Sequence, residues 1–292
     1  MNTSKKMTAL IASAAAGVFG AQKASAAIVT QYSFSGSSPT PSPTQVATTG
    51  TGTATSLGMT NSYNYNGGEG PGAVDGSNIV STPGTANPSF TEDVWRIVGN
   101  SNASGAGAGM ANGWNNSAPN YTQGAEFGAN LTGYTPTTLT FDWYSTTQGV
   151  GNLQVLYSLT GTPGSFVALG SDLLATPNDF YGGASGSPTN TVSLAGISGA
   201  ANDPTFAIEL VSVRPVPGDA DYSATGPGGD GNYAAAKGDT SSATAVDYNN
   251  SSGNWRFDNV TFNGTAVPEP TSASVLGLAG LALLGRRRAK KA

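Results

Sequence analysis

The chain of 292 residues contains neither cysteine nor histidine, and this double absence removes most familiar catalytic chemistry. No Ser-His-Asp or Cys-His nucleophile can be assembled, and no zinc site can be built from the usual His and Cys ligands. What remains is carboxylate, Tyr, Lys and Arg chemistry. A glycoside hydrolase needs two carboxylates flanking the scissile bond, roughly 5 to 10 Å apart. Glu69, Glu92, Glu126 and Glu209 are available, but none lies in a Glu-x-Asp-x-x-Glu strand motif that would set several carboxylates on one face. Glu126 precedes Phe127, and Glu209 lies between Ile208 and Leu210. Both therefore belong on the solvent side of strands. The residues predict a protein that is not an enzyme, with a secreted glycoside hydrolase as the weaker alternative.

Two other chemistries are open to the loops. Asp219-Ala220-Asp221 and Gly229-Asp230-Gly231-Asn232 place carboxylates, an amide and backbone carbonyls in a Gly-rich setting. Calcium takes six to eight such oxygens, so Asp219, Asp221 and Asp230 are candidate ligands for a structural Ca²⁺, the one cofactor considered for this chain. No Glu completes an EF-hand loop, and a solvated acidic loop is the competing reading. For sugar binding the useful groups are aromatic faces beside Asn, Asp and Gln. Trp114 with Asn115, Asn116 and Tyr121, and the Tyr63-Asn64-Tyr65-Asn66 run, meet that description in expected loops. Trp114 and Tyr121 are the candidate ligand-binding residues, against local packing as the alternative. Trp95, Trp143 and Trp255 lie in expected strands and belong to the core.

The elements that must position these residues read as strands. Leu139, Phe141 and Trp143 alternate with Thr140, Asp142 and Tyr144; Leu153, Val155 and Tyr157 alternate with polar neighbours; so do Phe206, Ile208 and Leu210. Period two of this kind means half-buried strands. Further candidates are 31–35, 94–98, 125–131, 165–169, 191–194 and 254–263. Turn formers such as Thr162-Pro163-Gly164 and Asn202-Asp203-Pro204 fill the gaps. The expected fold is all-β, a two-sheet antiparallel β-sandwich of jelly-roll type spanning residues 27–266. Two stretches read as irregular, Pro39 to Gly58 and a long polar insertion over 218–253. The pattern of a Thr-Phe-Asp-Trp strand, a Tyr-Ser-Leu strand and a closing Phe-Asp-Asn-Val-Thr strand resembles the jelly-roll domains of carbohydrate-binding modules. That resemblance implies a closing strand paired with the first, and transfers a role in holding Ca²⁺ to Asp258.

Charge narrows the partners. Between residues 27 and 267 the only cations are Arg96, Arg214, Lys237 and Arg256, against all the carboxylates but Glu269, a net of about −12. Nucleic acid and anionic lipid, which need clustered Lys or Arg, are poor partners for such a surface. With no cysteine, no disulfide can brace the fold, so a packed core, a bound metal or both must hold it.

Both ends carry addresses. Lys5 and Lys6 precede an apolar stretch from Met7 to Gly20, and Ala24-Ser25-Ala26 offers small residues to a signal peptidase. Residues 1–26 therefore read as a signal peptide cleaved between Ala26 and Ala27. At the other end come Pro268-Glu269-Pro270, an apolar run from Ala273 to Leu284, and Arg286-Arg287-Arg288 with Lys290 and Lys291. The apolar face runs all round, as in a short membrane helix over about 272–285 held by a basic stop. The run is shorter than the roughly 20 residues of a full span, a deficit that snorkelling cations can relieve.

Those three parts in order resemble the PEP-CTERM sorting domain of Gram-negative bacteria, covering residues 267–292. The resemblance implies an exported protein whose tail an integral-membrane exosortase recognises at Pro268-Glu269-Pro270. Such a chain is held transiently at the inner membrane and then reaches the cell surface or an extracellular matrix. The expected function is that of a sorted, non-catalytic surface or matrix protein that binds a polysaccharide, with a purely structural biofilm-matrix component as the alternative.

Overall fold

The computed structural model describes residues 25–34, 44–59, 95–98, 114, 118–145, 149–175, 180–181, 189–217, 233–234 and 254–267. Outside these residues lie most of the expected signal peptide, Asp219, Asp221 and Asp230 of the polar insertion, Pro268-Glu269-Pro270, the apolar run and the basic stop.

Strands with period-two patterning send their apolar row into the core, and in β12 (Phe206–Ser212) the other row is buried as well. Leu139, Phe141 and Trp143 of β6 (Tyr134–Ser145) are fully buried, as are Trp255, Phe257 and Phe262 of β13 (Asn254–Ala266). These two strands form the centre of a six-stranded sheet. β1 (Ala26–Tyr32) and β4 (Trp95–Val98) pair with β13, while β10 (Phe180–Tyr181) and β11 (Thr189–Ser193) pair with β6. Facing it is a seven-stranded sheet whose centre is β12 (Phe206–Ser212), flanked by β5 (Gly124–Ala129) and β7 (Asn152–Ser158). β3 (Thr53–Leu57) and then β2 (Thr44–Val46) extend it beyond β5, and β8 (Val167–Ala168) and β9 (Leu173–Leu174) pair with β7.

Every pairing is antiparallel, and no helix occurs among the described residues. From β5 onward the longer strands alternate between sheets, and the last strand returns beside the first. This is jelly-roll order, so the expected all-β sandwich is the fold found.

Aromatic rings join the two layers. Phe127 of β5 meets Tyr32, Trp95 and Phe257 of the opposite sheet edge-on, at centroid distances of 5.3, 5.8 and 5.8 Å. Phe206 and Phe262 make the same contact at 6.3 Å. Such pairs add about 0.5–1.5 kcal/mol each beyond area burial. One polar bond also crosses: the Tyr32 hydroxyl donates to the Gly128 carbonyl at 2.6 Å.

The stretch Pro39 to Gly58, expected to be irregular, contains β2 and β3. Its strands read Thr-Gln-Val and Thr-Ala-Thr-Ser-Leu, so no apolar alternation marks them, and tertiary pairing with β5 forms the structure instead. Close approach is what demands glycine at position 52, where a Cβ would collide with the Gly128 carbonyl and the Tyr32 hydroxyl.

Candidate functional site

One end of the sandwich gathers the indoles. Trp255 lies 4.6 Å from Trp114 and 5.2 Å from Trp143, both edge-on, and its Nε1 donates to the Val150 carbonyl at 2.7 Å. All three are fully buried. Trp114, expected at a sugar-binding surface, is therefore a core residue, fully buried and packed edge-on against Trp255. Beside it Arg214 stacks over Tyr233 at 4.6 Å and donates to the Ala118 carbonyl at 2.6 Å and Asn120 Oδ1 at 3.3 Å. Tyr233 donates to the Pro119 carbonyl at 2.9 Å. This cluster clamps the 118–120 loop. Tyr121, next in the chain, stays 40 % exposed in a left-handed conformation (φ 69°), and its amide donates to the Ser212 carbonyl at 3.0 Å. Of the two expected ligand-binding residues, Tyr121 alone offers a surface.

The outer side of the six-stranded sheet carries an acidic pair. Asp258 of β13 stands directly opposite Asp142 of β6, just before the register shifts at Asn259-Val260. This β-bulge holds Asn259 at φ 51°. There the Asn259 Nδ2 donates to Asp258 Oδ2 at 3.1 Å and to Asp142 Oδ2 at 3.0 Å. Asp258 Oδ1 accepts from the Asn259 amide at 2.7 Å and from the distant Phe34 amide at 3.4 Å. The Asn259 amide thus bridges the two carboxylates. Two carboxylates and one amide fall short of calcium's six to eight oxygens. No group of three acidic side chains suited to a metal occurs among the described residues.

A second acidic pair, which sequence reasoning did not join, lies on the outer side of the other sheet. Glu126 of β5 and Glu209 of β12 are direct partners across the ladder. Burial, reinforced by Glu126, pushes the Glu209 carboxyl up to about 7, and burial raises Glu126 as well. Their neighbours Leu156, Ala207 and Val211 are buried and apolar. Aligning β5 antiparallel to β12 was the signal that could have found this pair, because the two Glu residues then fall at one level.

The chain ends frame one further locus. Ala26 and Ala27, the expected cleavage site, are the first residues of β1 and pair with Thr265 and Gly264. β13 ends at Ala266, and the next amide, of Val267, donates to the Gly133 carbonyl at 2.8 Å. Residues 266–291 match the PEP-CTERM protein-sorting motif. The chain thus carries the signal of an exosortase-targeted exported protein, and the sorting motif begins on the last residue of the fold. No curated protein matches the chain. Among solved structures, the K3 cleaved adhesin domain of Lys-gingipain (Kgp) from Porphyromonas gingivalis W83 aligns over 64 % of this chain and 85 % of its own, at 12 % identity and a TM-score of 0.28.

Proposed function

We propose that the chain is a non-catalytic β-sandwich protein that exosortase delivers to the cell surface or extracellular matrix of a Gram-negative bacterium, where it is a structural matrix component. The observation that carries this reading is the abutment of the sorting motif on β13, which makes the entire described fold its cargo. The composition supports it: an acidic exported segment with four cations, no cysteine and no histidine suits a soluble polymer-associated protein and offers little to nucleic acid. Changing Pro268-Glu269-Pro270 to three alanines in the native host is expected to leave the tail attached and the protein cell-bound. Unchanged size and location would defeat the reading.

Polysaccharide binding is a second reading, favoured by one observation, the exposed ring of Tyr121 on a loop clamped by Arg214 and Tyr233. The expected calcium enters only here, through Asp219, Asp221 and Asp230. Capture of residues 27–267 on insoluble polysaccharides, with Ca²⁺ and with EDTA, tests both. Binding abolished by EDTA supports a calcium-dependent lectin, whereas a folded sample that binds nothing leaves the structural role.

A further inference from the structure

We propose that the end of β13 gates its own maturation: Gly264 to Val267 must peel away from β1 and β6 before the membrane peptidase that reads the tail can act. This inference rests on the sorting reading above. Pro268 follows immediately after Val267, whose amide is committed to the Gly133 carbonyl, so no spacer separates fold from recognition triplet. Over its last residues β13 is an interior strand. Gly264 faces Ala27 on one side, with Thr265 facing Ala26 only until the signal peptide is removed, and Gly264, Thr265 and Ala266 face Pro136, Thr135 and Tyr134 on the other. A peptidase grips its substrate as a single extended segment, which a strand hydrogen-bonded on both sides cannot supply.

The same end is built to open. Ala266 is exposed and Thr265 and Val267 are half-buried. Gly264 has no side chain, and a Cβ there would come within 2.9 Å of the Thr135 carbonyl. The first large buried anchor inward is Phe262, set against Phe206. A peel therefore runs easily to Asn263 and stops. Strand ends with few buried apolar contacts are the parts of a fold that open at least cost.

Approach to the membrane is also unopposed. Around this end the described residues Ala26, Ala27, Thr51, Asn130, Thr132 and Asn202 are uncharged. The one carboxylate, Asp203, is buried and accepts from the Thr205 amide at 2.8 Å. Because β1 begins beside the end of β13, the signal-peptide junction and the tail junction leave the folded domain side by side, facing one membrane.

The test follows tail removal by pulse-chase in a host that processes the full chain. A six-residue Gly-Ser spacer between Val267 and Pro268 is expected to speed removal by about threefold or more. Thr135→Cys with Thr265→Cys, in a chain that has no other cysteine, staples the strand end to β6. It is expected to slow removal by about tenfold while oxidised, with recovery on reduction. A spacer without effect, or a stapled protein processed at the unstapled rate, overturns the gate. The spacer lies outside the fold, so it tests the gate even if the staple variant misfolds. Retention of the tail in every form, the native one included, would instead count against the sorting reading.

Discussion

Glu126 and Glu209 stand directly opposite each other on adjacent strands, and neither carboxylate has a hydrogen-bond or ion-pair partner among the described residues. Like charges so placed destabilise a ladder unless one of them holds a proton.

The consequence is an inverted pH dependence. The Glu209 carboxyl, at about 7 in the fold against 4.5 ordinarily, binds a proton that the unfolded chain has already lost over that interval. The contribution of Glu209 to stability is therefore full below about pH 4.5, falls as pH rises toward 7, and is gone above it. Discounted for its contact with solvent, the shift is worth on the order of 1–2 kcal/mol. Thermal melts at pH 5 and pH 8 should show the lower midpoint at pH 8. Glu209→Gln should raise the pH 8 value and flatten the profile; a midpoint that climbs with pH would refute the assignment.

Two equally buried indoles should respond differently to the same substitution. The Trp255 N–H donates to Val150, whereas the Trp143 N–H has no partner among the described residues. Replacing each with Phe removes similar apolar bulk, but only Trp255→Phe breaks a hydrogen bond, leaving the Val150 carbonyl to the Ser145 hydroxyl at 3.0 Å. Its cost in urea unfolding should exceed that of Trp143→Phe by about 1 kcal/mol. Equal costs would mean that the Val150 bond contributes nothing.

At the bulge, Asn259→Gly keeps the left-handed backbone and removes the amide that joins Asp142 to Asp258. Each carboxylate then loses that donor, and the expected loss at pH 7 is about 1–3 kcal/mol. Chemical denaturation of the exported domain measures it, and an unchanged midpoint would remove the bridge from any account of stability.

Trp114 and Tyr121 are separable in the same way. Trp114→Ala empties a core site and should cost about 3–5 kcal/mol. Tyr121→Ala, on an exposed ring, should leave stability within about 0.5 kcal/mol. If the protein captures polysaccharide, only the Tyr121 change should weaken capture without lowering the melting temperature.

How far these features were legible depended on how local their causes are. β6, β7, β12 and β13 are legible because apolar side chains alternate along each, and Trp95, Trp143 and Trp255 fall to the core by their expected strands; burial of the second row of β12 is not, since it depends on what covers the sheet. β2 and β3 were not visible: Thr53-Ala54-Thr55-Ser56 has no such rhythm, and the strand exists because β5 offers it a free edge. Trp114 has no periodic neighbours to betray its burial, so it was read by its loop. The pairing of Glu126 with Glu209 spans more than eighty residues of sequence and becomes readable only once strand order is known. Asp258 is expected from the resemblance to help hold Ca²⁺; its neighbours in the fold, Asp142 across the ladder and the Asn259 side-chain amide, come from strand pairing and a bulge that the sequence does not display. The sorting tail was the most legible part, since its parts lie in sequence order.

The return of β13 beside β1 places the Phe34 amide on Asp258, 224 residues away, and this distance sets a schedule for export. A sheet whose first strand waits for its last cannot close while the chain is still threading through the membrane, since loop-closing contacts of such separation form late. The sheet is therefore expected to stay open for nearly the whole length of the chain and to lock only when Asn254 to Ala266 is available. A chain stopped before Asn254 is accordingly expected to remain sensitive to protease, and resistance in that truncated form would show that closure needs no final strand.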